Sequence, residues 1–139
     1  MKDKLPKGCQ SVKIKGIFDE MEAGLADTAV GDTLLFPIYD YYTDEPIGSY
    51  TDQKTNIFVG ADRADCTFTG SFNFDYNEMN PDFPFESQVM IAGSCLGASN
   101  AITGGTGRFA CASGYEEFID VEQEDFFASE LIICNTCAY

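Results

Sequence analysis

The sequence predicts an all-β fold, with about eight antiparallel strands closing into a barrel or stacking as a sandwich. Three observations predict it. Aromatic residues are abundant, with 12 Phe and 7 Tyr among 139 residues, and aromatic and β-branched side chains favour the pleated surface. Apolar and polar residues alternate with period two through several segments, separated by turn-forming residues at the spacing of a sandwich or barrel. A cluster of three glycines, Gly104, Gly105 and Gly107, lies between two extended-looking runs. Glycine takes positive φ without steric cost, so the cluster reads as a tight hairpin. The stretch is not a phosphate loop, because no Lys-Ser/Thr follows it and no helical pattern opens after it.

The elements follow in order. Residues 9–19 alternate, with Val12, Ile14 and Gly16 on one face and Lys13, Lys15 and Ile17 on the other. Residues 20–29 are turn-rich, with room for one short helical turn. Thr33 to Tyr42 is strongly β, and Leu34, Phe36, Ile38 and Asp40 share a face. Asp44-Glu-Pro46 makes a turn before a long strand from Ile47 to Val59. Cys66 to Tyr76 alternates most clearly: Phe68, Gly70, Phe72 and Phe74 face one way, and Thr67, Thr69, Ser71 and Asn73 the other. That is a half-buried antiparallel strand. Asn77 to Pro84 is a loop. Ser87 to Leu96 is a strand, followed by the glycine hairpin, a strand from Gly114 to Val121, a turn, and a last strand from Phe126 to Cys134. No linker divides the chain, so residues 1–139 form a single domain, long enough to bury its own core.

Six cysteines, Cys9, Cys66, Cys95, Cys111, Cys134 and Cys137, are many for this length. An even count without a paired C-x-x-C pattern favours disulfides and an oxidising compartment. Cys134-Asn-Thr-Cys137 ends a strand and opens no helix, so it does not read as a thioredoxin-type redox motif. If the 66–76 and 87–96 strands pair around residue 81, Cys66 falls opposite Cys95. If 111–121 pairs with 126–137 around residue 123, Cys111 falls opposite Cys134 or Cys137. Cys9 opens the first strand, which meets the last if the sheet closes. The expected bridges are Cys66–Cys95, with Cys9 and Cys111 sharing the terminal pair; buried free thiols are the alternative.

The net charge of −15 with no histidine removes several functions. A polyanion would be repelled, so no nucleic acid is expected as a partner. Triads and dyads that need histidine are impossible, and any zinc site would have to be all-cysteine. Acid–base work falls to Asp, Glu, Lys, Tyr or Cys. No run is long enough to span a membrane. The first eight residues have no apolar signal-peptide core, so a secreted protein would be present here in mature form.

The run Ala101-Ile-Thr-Gly-Gly-Thr-Gly-Arg-Phe109, followed by Gly114, resembles the allene oxide cyclase/dirigent barrel superfamily. Plant allene oxide cyclases carry an AITGGxGxFxxxxG run, and dirigent proteins carry GGTGxFxxxxG in the same late position. Gly31-Asp32 opening a strand, Phe36 and Gly48 keep the order, so the resemblance covers roughly residues 31–134. It implies an eight-stranded antiparallel β-barrel, disulfide-stapled here, usually a homotrimer, with an apolar lumen open at one end and no cofactor. Within it, Gly104, Gly105, Gly107, Phe109 and Gly114 are scaffold residues. The cyclase glutamate and asparagine of the first strand fall on Ile14 and Gly16. A luminal asparagine falls on Ile38, and a luminal cysteine falls near Lys54. The known cyclase residues are not retained.

Within such a barrel, Leu34, Phe36, Ile38, Phe68, Phe72, Phe74, Val89 and Ile91 either line a cavity for a hydrophobic small molecule or fill it. Asp40, Asp52 and Lys54 share the inward parity and are the candidate catalytic residues, a buried Lys–Asp pair being able to do acid–base work. At a solvated barrel mouth they would carry no such role. Arg108, beside the hairpin, could hold a carboxylate or form a surface ion pair. The acidic run Glu116, Glu117, Asp120, Glu122, Glu124 and Asp125 has no EF-hand spacing; it reads as a solvated outer face, and no metal site is assigned. The functional expectation is a cofactor-free cyclase-like or coupling-guide barrel. The alternative is a non-catalytic secreted structural or interaction barrel.

Overall fold

The computed structural model describes residues 5–17, 20, 22–23, 33–59, 64–74, 87–94, 99–121 and 125–137. Nine strands follow one another among them: β1 (Cys9–Ile17), β2 (Glu22–Ala23), β3 (Thr33–Asp40), β4 (Pro46–Val59), β5 (Ala64–Phe74), β6 (Ser87–Ser94), β7 (Ser99–Thr106), β8 (Ser113–Ile119) and β9 (Phe126–Cys134). Sequence neighbours pair antiparallel from β3 to β9, and β9 pairs with β1 from Cys9↔Cys134 to Ile17↔Phe126. Two further pairs, Ile14↔Asp40 and Lys15↔Tyr39, join β1 to β3 and close the ring. The fold is therefore a closed eight-stranded antiparallel barrel, with the two-residue β2 appended to β3. Closure leaves no sheet edge in the ring to be shielded from other chains.

Most expected strands occupy their expected positions; β7 is the main departure. The glycines predicted to form the hairpin mostly lie inside a strand that runs through Thr106, and only Gly107 takes a positive φ, of 61°. A 3-10 turn, Gly107–Phe109, follows, and Cys111 supplies a second left-handed residue at φ 67°. Gly105 is required by space, because a Cβ there would strike the carbonyl oxygens of Phe109 and Gln88. The turn folds Phe109 into the barrel, fully buried, with its ring 5.3 Å from that of Phe74.

Phe109 thereby plugs one end. Around it Ile38, Ile47, Phe74, Val89, Ile91 and Ile133 are each at most 3% exposed, so this half of the lumen is packed solid. Two disulfides among the described residues staple the same end. Cys9–Cys134 ties the first strand to the last, and Cys111–Cys137 ties the 3-10 turn region to the C-terminal segment. Cys9 and Cys111 thus share the terminal cysteines as the strand registers predicted. The β5–β6 register also matches, with Thr67 opposite Ser94. The expected Cys66–Cys95 bridge falls outside the described residues.

Candidate functional site

The other half of the lumen is open. A cavity of about 300 Å³ reaches solvent past the half-exposed Phe118. Its volume stands at the lower limit for small-molecule sites. The expected pair of alternatives, a lined cavity or a filled one, resolves into both, divided along the barrel axis. Leu34, Phe36, Phe68 and Phe72 line the cavity, whereas Ile38, Phe74, Val89 and Ile91 belong to the packed half. Ile14, Tyr50, Phe118 and Phe127 complete the apolar wall.

Glycines on the inward face make the room for these side chains. A Cβ at Gly70 would stand 2.5 Å from the Tyr50 hydroxyl oxygen, and one at Gly16 would stand 2.6 Å from Phe127 Cζ and 2.9 Å from Phe36 Cδ2. A Cβ at Gly93 would stand 2.8 Å from Asn100 Cγ. The ring of Tyr50 lies between Phe36, stacked at 4.9 Å between centroids, and Phe72 at 4.7 Å. Phe127 meets the other edge of Phe36 at 4.9 Å, nearly perpendicular.

Polar groups break this wall at two places. On β4, Tyr50 Oη donates to Asp52 Oδ2 at 2.8 Å, and Asp52 Oδ1 is buried with no hydrogen-bond partner among the described residues. On β8, Glu116 is only 4% exposed. Asn100 Nδ2, from β7, donates to its Oε1 at 2.7 Å, and Ser129, from β9, hydrogen-bonds it from the other side. Since β4 and β8 are four strands apart in either direction round the ring, the two carboxyls stand on opposite walls of one cavity.

Burial dominates their electrostatics. It pushes the Glu116 carboxyl above the usual carboxylate range, against the hydrogen bonds from Asn100 and Ser129, and the Asp52 carboxyl adds to the rise. Burial also raises Asp52, against the hydrogen bond from Tyr50 and the nearby Lys54 ammonium. Tyr50 is raised too, first by burial and then by Asp52, so its hydroxyl keeps its proton and remains a donor. Such a set can hold or move a proton at a bound molecule.

The three residues singled out as catalytic do not come together. Asp52 faces the cavity. Lys54, half-buried, follows it by two residues on β4 and acts on it through its charge. Asp40 lies at the opposite end of β3 and caps the β3–β4 turn. Its Oδ2 accepts from the backbone N–H of Tyr42 at 3.3 Å and of Thr43 at 3.1 Å, and from Thr43 Oγ1 at 3.0 Å. Short polar side chains commonly serve turns in this way. Arg108 stands with its guanidinium 5.1 Å from the Phe109 ring centre, at the plugged end.

Glu116 corrects the reading of the acidic run as a solvated face. Glu117, Asp120 and Asp125 are exposed, but Glu116 shares the inward parity of Gly114 and Phe118. Parity was the available signal: Gly114-Tyr-Glu-Glu-Phe118 alternates, and one of two adjacent glutamates in a strand must face inward. The same rule applied to Asp52 also places Tyr50 inside.

Neither a protein-family model nor a curated protein matches the chain by sequence. Solved structures do match it by shape. A pyocyanin demethylase is 19% identical, with a TM-score of 0.55, over 90% of this chain and 98% of its own. The pterocarpan synthase dirigent protein GePTS1 is 15% identical, with a TM-score of 0.59, over 92% of this chain and 87% of its own. A second such protein, PsPTS1, is 15% identical, with a TM-score of 0.58, over 98% of both chains. At these identities the likeness is one of fold, and it agrees with the glycine run that ends on the Phe109 plug. The chain is a divergent barrel of dirigent-like fold.

Proposed function

We propose that the barrel takes a small, largely apolar molecule into its open half and holds it against Asp52 and Glu116, guiding a cyclisation, isomerisation or coupling by shape. The observation that carries this reading is the cavity of about 300 Å³, walled by aromatic rings and bearing two buried carboxyl groups. A constrained pose accelerates an intramolecular step by removing rotational freedom. A carboxyl with a raised pKa, set against the bound molecule, adds proton transfer near neutral pH. The two disulfides support a secreted protein or another oxidising compartment.

The test has two parts. The neutral fluorescent probe N-phenyl-1-naphthylamine should bind saturably to the wild type, and Leu34→Trp, which fills the cavity wall, should abolish the signal while circular dichroism stays unchanged. Equal binding by the folded variant would remove the lumen as the site. Incubation with unsaturated epoxides or phenoxy radicals, with product enantiomeric excess as readout, then tests guidance. A racemic product throughout would leave a binding or interaction barrel.

A homotrimer, implied by the family resemblance, is proposed to form through the outer face of β4–β6. There Thr51, Gln53, Thr69, Gln88 and Met90 carry no charge, in a chain whose net charge is −15. Like-charged copies approach at least cost across an uncharged face. Light scattering should give a trimer mass that Met90→Glu converts to a monomer; an unchanged mass would exclude this face.

A further inference from the structure

Given a lumen that binds a ligand, we infer that the ligand is a small organic cation, held between the carboxylates of Asp52 and Glu116 inside a box of aromatic rings. The inference rests on the lumen reading and adds the charge of the ligand to it. Four features of the cavity lead to it.

The first is the wall. Phe36, Tyr50, Phe68, Phe72, Phe118 and Phe127 surround the space. Ring faces carry partial negative charge and attract cations, most strongly where water is excluded. The second is the placement of the carboxyls on opposite walls, so that a molecule in the cavity lies between them.

The third is the hydrogen bonding. Tyr50 Oη and Asn100 Nδ2 donate to the carboxyls, and the Ser129 hydroxyl partners Glu116. Donors directed at a carboxyl favour its ionised form, here against the burial that raises both groups. Asp52 Oδ1 is left over, buried and unpartnered among the described residues.

The fourth is the scarcity of counter-charge. Among the described residues no Lys or Arg lines the cavity, and Lys54, two residues beyond Asp52 on its strand, acts on it from outside the lining. Among the described residues, the ionisable groups facing the two carboxyls are each other, Tyr50 and Lys54. The remaining strands present Ile14 from β1, Leu34 and Phe36 from β3, Phe68 and Phe72 from β5, Asn100 from β7 and Phe127 and Ser129 from β9, none of them charged. A neutral hydroxyl could satisfy Asp52 Oδ1, but it would leave the two buried charges opposing each other. A cation between them relieves the burial cost and the repulsion together. An anion would meet both.

The test compares two probes of the same shape, benzyltrimethylammonium and the isosteric hydrocarbon neopentylbenzene, by NMR titration of the intact oxidised protein. At pH 8 the cation should bind at least tenfold more tightly. The preference should shrink by at least tenfold at pH 4, where the carboxyls are protonated, and also in Asp52→Asn and Glu116→Gln, each verified as folded by circular dichroism. Neopentylbenzene affinity should stay within about twofold in those variants, which separates lost charge from lost shape. Equal affinity for the two probes at pH 8 would overturn the cation inference while leaving the lumen reading intact. Failure of both probes to bind would overturn the lumen reading itself.

Discussion

Gly70→Ala tests whether the wall of the cavity is built around Tyr50. The new methyl carbon would stand 2.5 Å from Tyr50 Oη, 2.9 Å from Tyr50 Cζ and 3.1 Å from Asp52 Cβ. Tyr50 cannot swing aside freely, because Phe36 and Phe72 hold its ring on both sides. Overpacking of a well-filled site costs about 1–3 kcal/mol. The displaced hydroxyl would also lose its 2.8 Å bond to Asp52, and a buried carboxyl deprived of its donor costs about 1–3 kcal/mol. The combined loss should be about 2–6 kcal/mol, read by urea unfolding of the oxidised protein at pH 7 with the slope unchanged. Tyr50→Phe alone removes the donor, at about 1–3 kcal/mol. In the Tyr50→Phe background Gly70→Ala should cost at least 1 kcal/mol less than in the wild type, because the nearest clashing atom is gone. Additive costs, or a neutral Gly70→Ala, would refute the reasoning and mean that Tyr50 relaxes without consequence.

The pH profile gives a second prediction. Because the folded-state pKa values of Asp52 and Glu116 are raised, the native protein binds more protons than the unfolded chain above about pH 4. Their stabilisation is complete below that pH and declines as pH rises through the folded values. Glu116→Gln should flatten the decline relative to wild type by about 1.4 kcal/mol per pH unit across that window; parallel profiles would count against a raised Glu116. Reduction of the bridges should act unequally. Loss of Cys9–Cys134, which spans 125 residues, should cost about 5 kcal/mol and loss of Cys111–Cys137, which spans 26, about 3.5 kcal/mol by chain entropy, measured on paired Cys→Ala variants. A reversed order would mean that the reduced chain retains structure at its ends. Phe109→Ala should cost about 3–5 kcal/mol and admit N-phenyl-1-naphthylamine to a second site at the plugged end. An unchanged binding stoichiometry would mean that the wall collapses into the space.

Much of the strand framework can be read from the sequence, because period-two alternation is a local property. The faces of Leu34-x-Phe36-x-Ile38 and Phe68-x-Gly70-x-Phe72-x-Phe74 follow from counting, and so does the register that brings Cys111 near the terminal cysteines; Cys9 joins them on the condition that the sheet closes. Strand β7 is the exception, since three glycines in Thr103-Gly-Gly-Thr-Gly107 imitate a turn. Local conformational freedom does not reveal that Gly105 is small because the Phe109 and Gln88 carbonyls pass beside it.

The site was less legible, and for a different reason. Parity states that a side chain points inward but not at which height of the barrel it stands. Asp40 and Asp52 have the same parity, yet one caps a turn at one end while the other faces the cavity. Ile38 and Phe36 are neighbours on one face, yet they fall on opposite sides of the boundary between packed core and open space.

The sequence by itself determined an all-β chain, its main strands and their faces, all of which depend on local periodicity; the terminal staples followed only on the condition that the sheet closes. Only the tertiary structure decided that the lumen is plugged by Phe109 at one end and open at the other. It alone set Asp52 and Glu116, 64 positions apart, against the same empty space. Closing the ring through β1 and β3 fixes which strands oppose one another across the barrel, and that relation among distant segments has no local signature.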